Sequence, residues 1–288
     1  MKTIMLATDF SERSDRALRR AALLARRSGA KMTLVHVVDD DQPRHIIENE
    51  KAGATSLLRE MTATLRSHDG VDCDARVVLD APFAGIVRAA TEIAPDLLVI
   101  GPHRRQVLRD VFVGTTAERT IRSVSCPVLM VNALPAGRYR HVLQTTDLSD
   151  ESRIAAQRFA ALGLGEDARA SMLFVFDAPA MRLGMSHSIP KDDQAHYLEG
   201  ERTHALRELG RFMATLGAAV QADQVVRRED TAAANEILKA AEEMKADLIV
   251  AATHGRGGGA RMFLGSVTEQ VLRSATVDVL AIPPQTTA

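Results

Sequence analysis

The sequence predicts an α/β protein made of two tandem open parallel five-stranded sheets, each with helices on both faces. Three observations predict it. First, Ala7-Thr8-Asp9-Phe10-Ser11-Glu12-Arg13-Ser14 reappears as Thr145-Thr146-Asp147-Leu148-Ser149-Asp150-Glu151-Ser152, 138 residues later. Second, Asp96-Leu97-Leu98-Val99-Ile100 recurs as Asp247-Leu248-Ile249-Val250-Ala251, and Gly114-Thr115 as Gly265-Ser266, both 151 residues later. Third, each half alternates short unbroken apolar runs with helical patterns, as expected of a parallel sheet covered on both sides. A repeat of roughly 140 residues is too long for a solenoid unit and fits two complete domains. These are expected at 1–133 and 139–288, joined by a linker of turn-forming composition, Ala133-Leu134-Pro135-Ala136-Gly137-Arg138. The offsets differ by 13 residues, so the second half carries an insertion. It falls after Asp177, because Val37 and Val175 still match at 138 whereas Ala63-Thr64-Leu65 and Ala214-Thr215-Leu216 match at 151. It lies within 178–194, a stretch with no assignable role.

The elements of the first half follow in order. Thr3 to Thr8 is an apolar strand ending at Asp9, and Ser11 is placed to cap the helix after it. Ala17, Leu18, Ala21, Ala22, Leu24 and Ala25 recur with helical spacing until Gly29 stops that helix. Met32 to Val38 is the second strand, followed by a long helical pattern from about Glu48 to Arg66. Val71 to Leu79 is the third strand, and Phe83 to Ile93 the third helix. Leu97 to Ile100 is the fourth strand, a helix begins near Gly114, and Val128 to Val131 closes the half. The second half repeats this order. Its last strand, Val279-Leu280-Ala281-Ile282, is as apolar as Val128-Leu129-Met130-Val131, and a bare edge of that composition would invite pairing. The two sheets are therefore expected to meet at these strands.

Composition narrows the function. The net charge is −1 with 25% charged residues, which argues against a basic nucleic-acid binder. Aromatic residues are 3% with no Trp, too few for base-stacking platforms. No apolar run approaches the ~18–20 residues that span a bilayer. The N-terminal run turns polar at Thr8, short of a signal peptide's apolar core, so a cytoplasmic protein is expected. Cys73 and Cys126 form neither a disulfide framework nor a thiolate metal site. Cys126 precedes Pro127 at the start of a strand and reads as a packing residue. His187, His196 and His204 lie in or beside the insertion with Glu199 and Glu201. His196 and His204 are about 12 Å apart along a helix, too far to share one ion, and a solvated helix face is the better reading. No metal site is expected.

In an open parallel sheet, ligands bind beyond the carboxyl ends of the strands, where the strand order reverses. The loop after the fourth strand of the second half runs Ala252-Thr253-His254-Gly255-Arg256-Gly257-Gly258-Gly259-Ala260-Arg261-Met262-Phe263-Leu264-Gly265-Ser266. Glycines there let backbone amides approach an anion closely or adopt positive φ. Gly265-Ser266 then opens a helix whose apolar face is Val267, Val271 and Leu272. Orphan amides, helix dipole and a hydroxyl would meet at one point, a ready phosphate site.

On these residues the chain resembles the universal stress protein superfamily, two domains in one polypeptide with a Rossmann-like, nucleotide-binding α-hydrolase-like fold and a pseudo-two-fold relation. Nucleotide-binding members of that family carry Gly-x2-Gly-x9-Gly-[Ser/Thr]. The matching positions are Ala252, Gly255, Gly265 and Ser266 in the second half, and Gly101, Arg104, Gly114 and Thr115 in the first. The resemblance implies that Asp147 and Val175, or Asp9 and Val37, meet the adenosine. His103 and His254 occupy matching positions in the two phosphate loops, where they orient the loop or contact ligand, a structural role standing equally open, and Val267, which follows Ser266, completes the candidate set. Neither copy keeps the whole motif. Ala252 replaces the first glycine, at a cost of about 1–2 kcal/mol if the backbone there is left-handed and little otherwise. Arg104 replaces the second, placing a long side chain where backbone should contact phosphate. The near-complete second loop is the predicted site, and the first, with Asp9, Val37, Gly101, Arg104, Gly114 and Thr115, a weaker or degenerate one.

The resemblance further implies a stress-response protein that binds ATP, or ADP or AMP, with Mg2+ as a candidate companion ion. Single-domain members pair through the fifth strand, and fusion makes that contact intramolecular; homodimerisation of whole chains is compatible with this pattern. The absence of a P-loop lysine, and of a base aimed at a γ-phosphate, predicts a binder rather than a catalyst, at most a slow ATPase. Two other classes compete. A nucleotide-free interaction protein would fill the space over Gly255 and Ser266 with its own atoms. A hydrolase or nucleotidyl transferase would need a base or metal that the sequence does not offer. The blander readings also stand beside the sharp one: Asp9 and Asp147 also suit helix starts, where carboxylates accept from amides, and Val37 and Val175 are core strand residues by default.

Overall fold

The structure is a computed structural model and describes residues 1–102, 116–182, 191–218, 220–255 and 264–284. The first half runs β1 (Thr3–Ala7), α1 (Glu12–Ser28), β2 (Lys31–Val38), α2 (Arg44–Thr64), β3 (Cys73–Leu79), α3 (Pro82–Ile93), β4 (Leu97–Ile100), α4 (Thr116–Ser123) and β5 (Val128–Met130). The second runs β6 (His141–Thr146), α5 (Asp150–Leu162), β7 (Arg169–Phe176), α6 (Pro179–Arg182), α7 (Lys191–Ala214), β8 (Asp223–Arg228), α8 (Ala233–Glu243), β9 (Leu248–Ala252), α9 (Ser266–Ser274) and β10 (Asp278–Ile282). The insertion falls on α6, on the start of α7 and on 183–190, which lie outside the described residues.

Helices α1 and α5 start where the sequence provides a cap. Ser11 and Ser149 accept from the amides of Ser14 and Ser152, and Gly29 and Gly163 end α1 and α5 with φ of 67° and 71°. The helix α2 begins at Arg44, four residues before the apolar pattern, because Pro43 stands at its N-cap.

Each half is a five-stranded parallel sheet, in the order β3-β2-β1-β4-β5 and its repeat β8-β7-β6-β9-β10. The halves are not separate sheets. β5 and β10 pair antiparallel, Val279 with Met130, Leu280 with Leu129 and Ala281 with Val128, giving one ten-stranded sheet. The pairing is self-complementary: residue 128 faces 281 as 130 faces 279, the mark of a two-fold contact. Alternation along the strands feeds two layers that both run across the joint. Ile4, Leu6, Leu129 and Val250 enter the layer of α1 and α5; Met5, Val128, Leu143 and Ile249 enter the layer on the opposite face.

Polar groups pin the joint. Asp278 is wholly buried and accepts from Arg20 Nε at 3.1 Å, from the Tyr139 hydroxyl at 2.7 Å, and from the amides of Asn132 and Ala133. Burial pushes its carboxyl above the usual aspartate value despite those donors. The Arg20 guanidinium also lies 4.2 Å from the centre of the Tyr139 ring. Near the pseudo-axis, Arg122 reaches Glu269 at 2.9 Å, and Arg273 reaches Glu118 at 2.7 Å. These are the same two positions of the repeat, used reciprocally.

Candidate functional site

Two strand ends and two helix starts converge in the second half. Strand β6 runs out at Thr146, and the chain turns through Leu148, whose φ is 65°. A left-handed backbone is costly for leucine, and the Thr146 hydroxyl helps hold it by accepting from the Leu148 amide at 2.9 Å. The same device recurs at Phe10, with φ of 59° and Thr8 as acceptor at 3.1 Å. Asp147 Oδ1 accepts from the Ser149 amide at 3.1 Å and from the Ser152 hydroxyl at 2.7 Å. Both aspartates thus do serve as helix-start residues. For Asp9, burial would raise the carboxyl, but the Ser11 and Ser14 hydroxyls, the Ser11 amide and Arg13 outweigh it and hold it below the usual aspartate value.

The loop after β9 is closed at its neck. Thr253 carbonyl oxygen accepts from the Gly265 amide at 2.8 Å, and Ala252 carbonyl oxygen accepts from the Thr268 hydroxyl at 2.8 Å. Gly265 precedes α9 with φ −58° and ψ 137°, and no side chain caps that helix. The first amides of α9 therefore meet no capping side chain, and Ser266 and Val267 are exposed. The His254 ring is fixed through Nδ1, 2.9 Å from the Thr253 hydroxyl, while its buried Nε2 has no hydrogen-bond partner among the described residues.

These pieces enclose a cleft of about 490 Å³. Asp147, Val175, Ala252, His254, Gly255, Gly265, Ser266 and Val267, all named from the sequence, line it together. The sequence reading missed Ala233 and Ile237 on α8, and Leu173 on β7, which add apolar lining to the cleft. The signal was present: Pro82 and Ile86, 151 residues earlier, line the matching cleft of the first half.

The glycines work through space rather than through φ. Among the described residues, neither Gly255, Gly265, Gly101 nor Ala252 has positive φ, so of the two uses open to the loop glycines, close approach and positive φ, only the first applies at these positions. Ala252 is the last residue of β9, and the strain cost considered for it does not arise. A Cβ at Gly255 would lie 2.4 Å from Asp147 Oδ2. A Cβ at Gly101 would lie 2.9 Å from the Arg13 carbonyl. At Gly265 a Cβ would meet, among the described residues, only Thr253 carbonyl oxygen, at 3.5 Å, an ordinary contact.

The first-half cleft is smaller, about 350 Å³, and is lined by Asp9, Val37 and Gly101 together with Arg13 and His36. Arg13 stands 3.6 Å from Asp9, and His36 holds Thr8 carbonyl oxygen at 2.8 Å through Nδ1 and stacks on Phe10. His103, Arg104, Gly114 and Thr115 lie outside the described residues.

Comparison with known proteins gives one consistent result. The model of the universal stress protein family matches residues 1–132 and again 138–283. A universal stress protein of Mycolicibacterium smegmatis is 25% identical over 307 aligned positions, covering 98% of this chain and 97% of that protein. One of Methanocaldococcus jannaschii is 30% identical over 144 residues, covering 50% of this chain and 82% of its own. The crystal structure of a universal stress protein from Archaeoglobus fulgidus superposes with a TM-score of 0.70 at 18% identity, covering 98% of each chain. No helix among the described residues is long and apolar enough to cross a membrane.

Proposed function

Since this chain belongs to the universal stress protein family, matched in both halves, we propose that it binds an adenine nucleotide, chiefly in the cleft of residues 139–288. The observation that carries this reading is the shape and polarity of that cleft. Its apolar wall of Leu173, Val175, Ala233 and Ile237 suits a flat base. The same cleft holds the uncapped start of α9 and the hydroxyl of Ser266, suited to phosphates. Asp147 also lines it and can accept from ribose hydroxyls, as carboxylates do in other α/β sheets that bind dinucleotides. Among the described residues the buried Nε2 of His254 lacks a partner, which a bound phosphate or hydroxyl would supply. The protein's own need for glycine explains Gly255 but not Gly265, where the space for a methyl group is already present.

In this reading the ligand is ATP, ADP or AMP, with Mg2+ held by its phosphates. The first unit, 1–133, is the weaker site: its cleft is smaller and carries Arg13 beside Asp9. The protein acts in the cytoplasm by changing conformation or partners when nucleotide binds, with turnover slow at most, because no P-loop lysine is present. Titration calorimetry with ATP and Mg2+ tests it. One saturable site per chain is the expected result. No heat, and no rise in melting temperature at millimolar ATP, would contradict it, because a ligand selective for the folded state must stabilise it.

A further inference from the structure

A second cavity of the second half, of about 670 Å³, lies on the α5/α7 face of the sheet, beside the start of β7. Gln144 of β6 lines it, only 4% exposed, and its buried Oε1 has no hydrogen-bond partner among the described residues. The repeat supplies an internal control. At the matching positions of the first half, 138 residues earlier, stand Leu6 for Gln144 and Met32 for Ala170, both fully buried. There the helix after β2 also runs on past Thr64 through a further turn, Leu65–Asp69, with Leu65 buried against the core. In the second half α7 stops at Ala214. One half is plugged with hydrocarbon where the other is opened and given an amide.

From this we propose that the cavity is a binding site for a small neutral molecule bearing a primary carboxamide or lactam edge on an apolar body. A buried acceptor without a donor is costly, and such groups are nearly always satisfied. The side-chain amide of Gln144 offers an acceptor and a donor side by side, and its two ends can exchange by rotation. Its complement is another amide, which donates to Oε1 and accepts from Nε2 in one plane. Phe159, Ala168, Ala170 and Val220 supply apolar walls for the remainder. The rim disfavours an anion: Arg169 is committed to Asp223 at 3.0 Å, and Glu166 adds a further carboxylate. This site is separate from the nucleotide cleft, and the proposal does not rest on that reading.

The test is an NMR titration of the full ¹⁵N-labelled chain with benzamide and with its near-isostere benzoate, which cannot donate to Oε1. Benzamide should shift the amides of Gly163, Ala170 and Ala222 saturably, and benzoate should bind at least about tenfold more weakly. Gln144→Leu and Ala170→Met, which install the first half's residues, should each abolish those shifts while melting no lower than wild type. Three results overturn the proposal. They are equal binding of benzoate, benzamide shifts that persist in Ala170→Met, and no shift near these residues at about 10 mM benzamide, a concentration that exceeds even a millimolar Kd.

Discussion

Substituting alanine at Gly255 and at Gly265 separates what the fold requires from what a ligand requires. At Gly255 the new Cβ would sit 2.4 Å from Asp147 Oδ2, whereas ordinary contact begins at 3.4 Å. Something must move by about 1 Å, at the cost of overpacking, typically 1–3 kcal/mol. Asp147 cannot give way cheaply, because its other oxygen holds the Ser149 amide and the Ser152 hydroxyl at the start of α5. At about 2–4 °C per kcal/mol for a chain of this order, Gly255→Ala should melt roughly 2–12 °C below wild type. At Gly265, φ −58° and ψ 137° suit any residue, and the nearest atom to a new Cβ is 3.5 Å away. Gly265→Ala should therefore stay within about 0.5 kcal/mol of wild type. Its ATP affinity should nevertheless fall at least about tenfold, about 1.4 kcal/mol, because the methyl group stands beside the α9 amides. Thermal melts and titration calorimetry on both variants read the two quantities separately. Wild-type ATP affinity in Gly265→Ala, or a melting loss there equal to that of Gly255→Ala, would refute the reasoning.

Three further outcomes follow from the rest of the molecule. Arg20→Ala leaves the buried Asp278 carboxylate without its cation and should cost on the order of 3–5 kcal/mol in chemical denaturation; a loss below 1 kcal/mol would show that the Tyr139 and backbone donors suffice. Burial pushes the Cys73 thiol up to about 12 and the Cys126 thiol to about 11, so neither should react with a thiol reagent at pH 8 until the chain is unfolded. Asp96 is partly buried, which would raise its carboxyl, but the Lys2 and Thr3 amides, the Thr3 hydroxyl and the N-terminus hold it below the usual value of 3.8. Its contribution to stability is therefore fully present above that pH and lost as pH falls through the lower folded value. The melting difference between wild type and Asp96→Asn should shrink in that acid window; a constant difference from pH 7 to pH 2 would contradict the assignment.

The parts of the fold that were legible in the sequence are those written locally. Leu97 to Ile100 is four consecutive apolar residues, and the strand has those bounds. Ser11 and Ser149 announce α1 and α5 because a cap acts over three residues. The meeting of Val128–Met130 with β10 was legible because an apolar edge strand needs a partner. The start of α2 was not read, since Pro43 rather than an apolar stripe sets it. The site divides in the same way. Spacing brings Gly255, Gly265 and Ser266 to one cleft with Asp147 and Val175. The reason Gly255 lacks a side chain is an aspartate more than 100 residues away, which no local pattern carries. The Arg20–Asp278 pair, 258 residues apart, is equally invisible until the sheet joins the two halves.

The proposed function stands or falls on whether the second-half cleft holds an adenine nucleotide. Native mass spectrometry of the full chain, purified without added nucleotide and then given ATP with Mg2+, reads this directly. The predicted result is a mass increase of one nucleotide per chain, retained in Gly101→Ala and lost in Gly265→Ala. A spectrum showing only the bare chain at every ATP concentration, or nucleotide retained in Gly265→Ala and lost in Gly101→Ala, would contradict it.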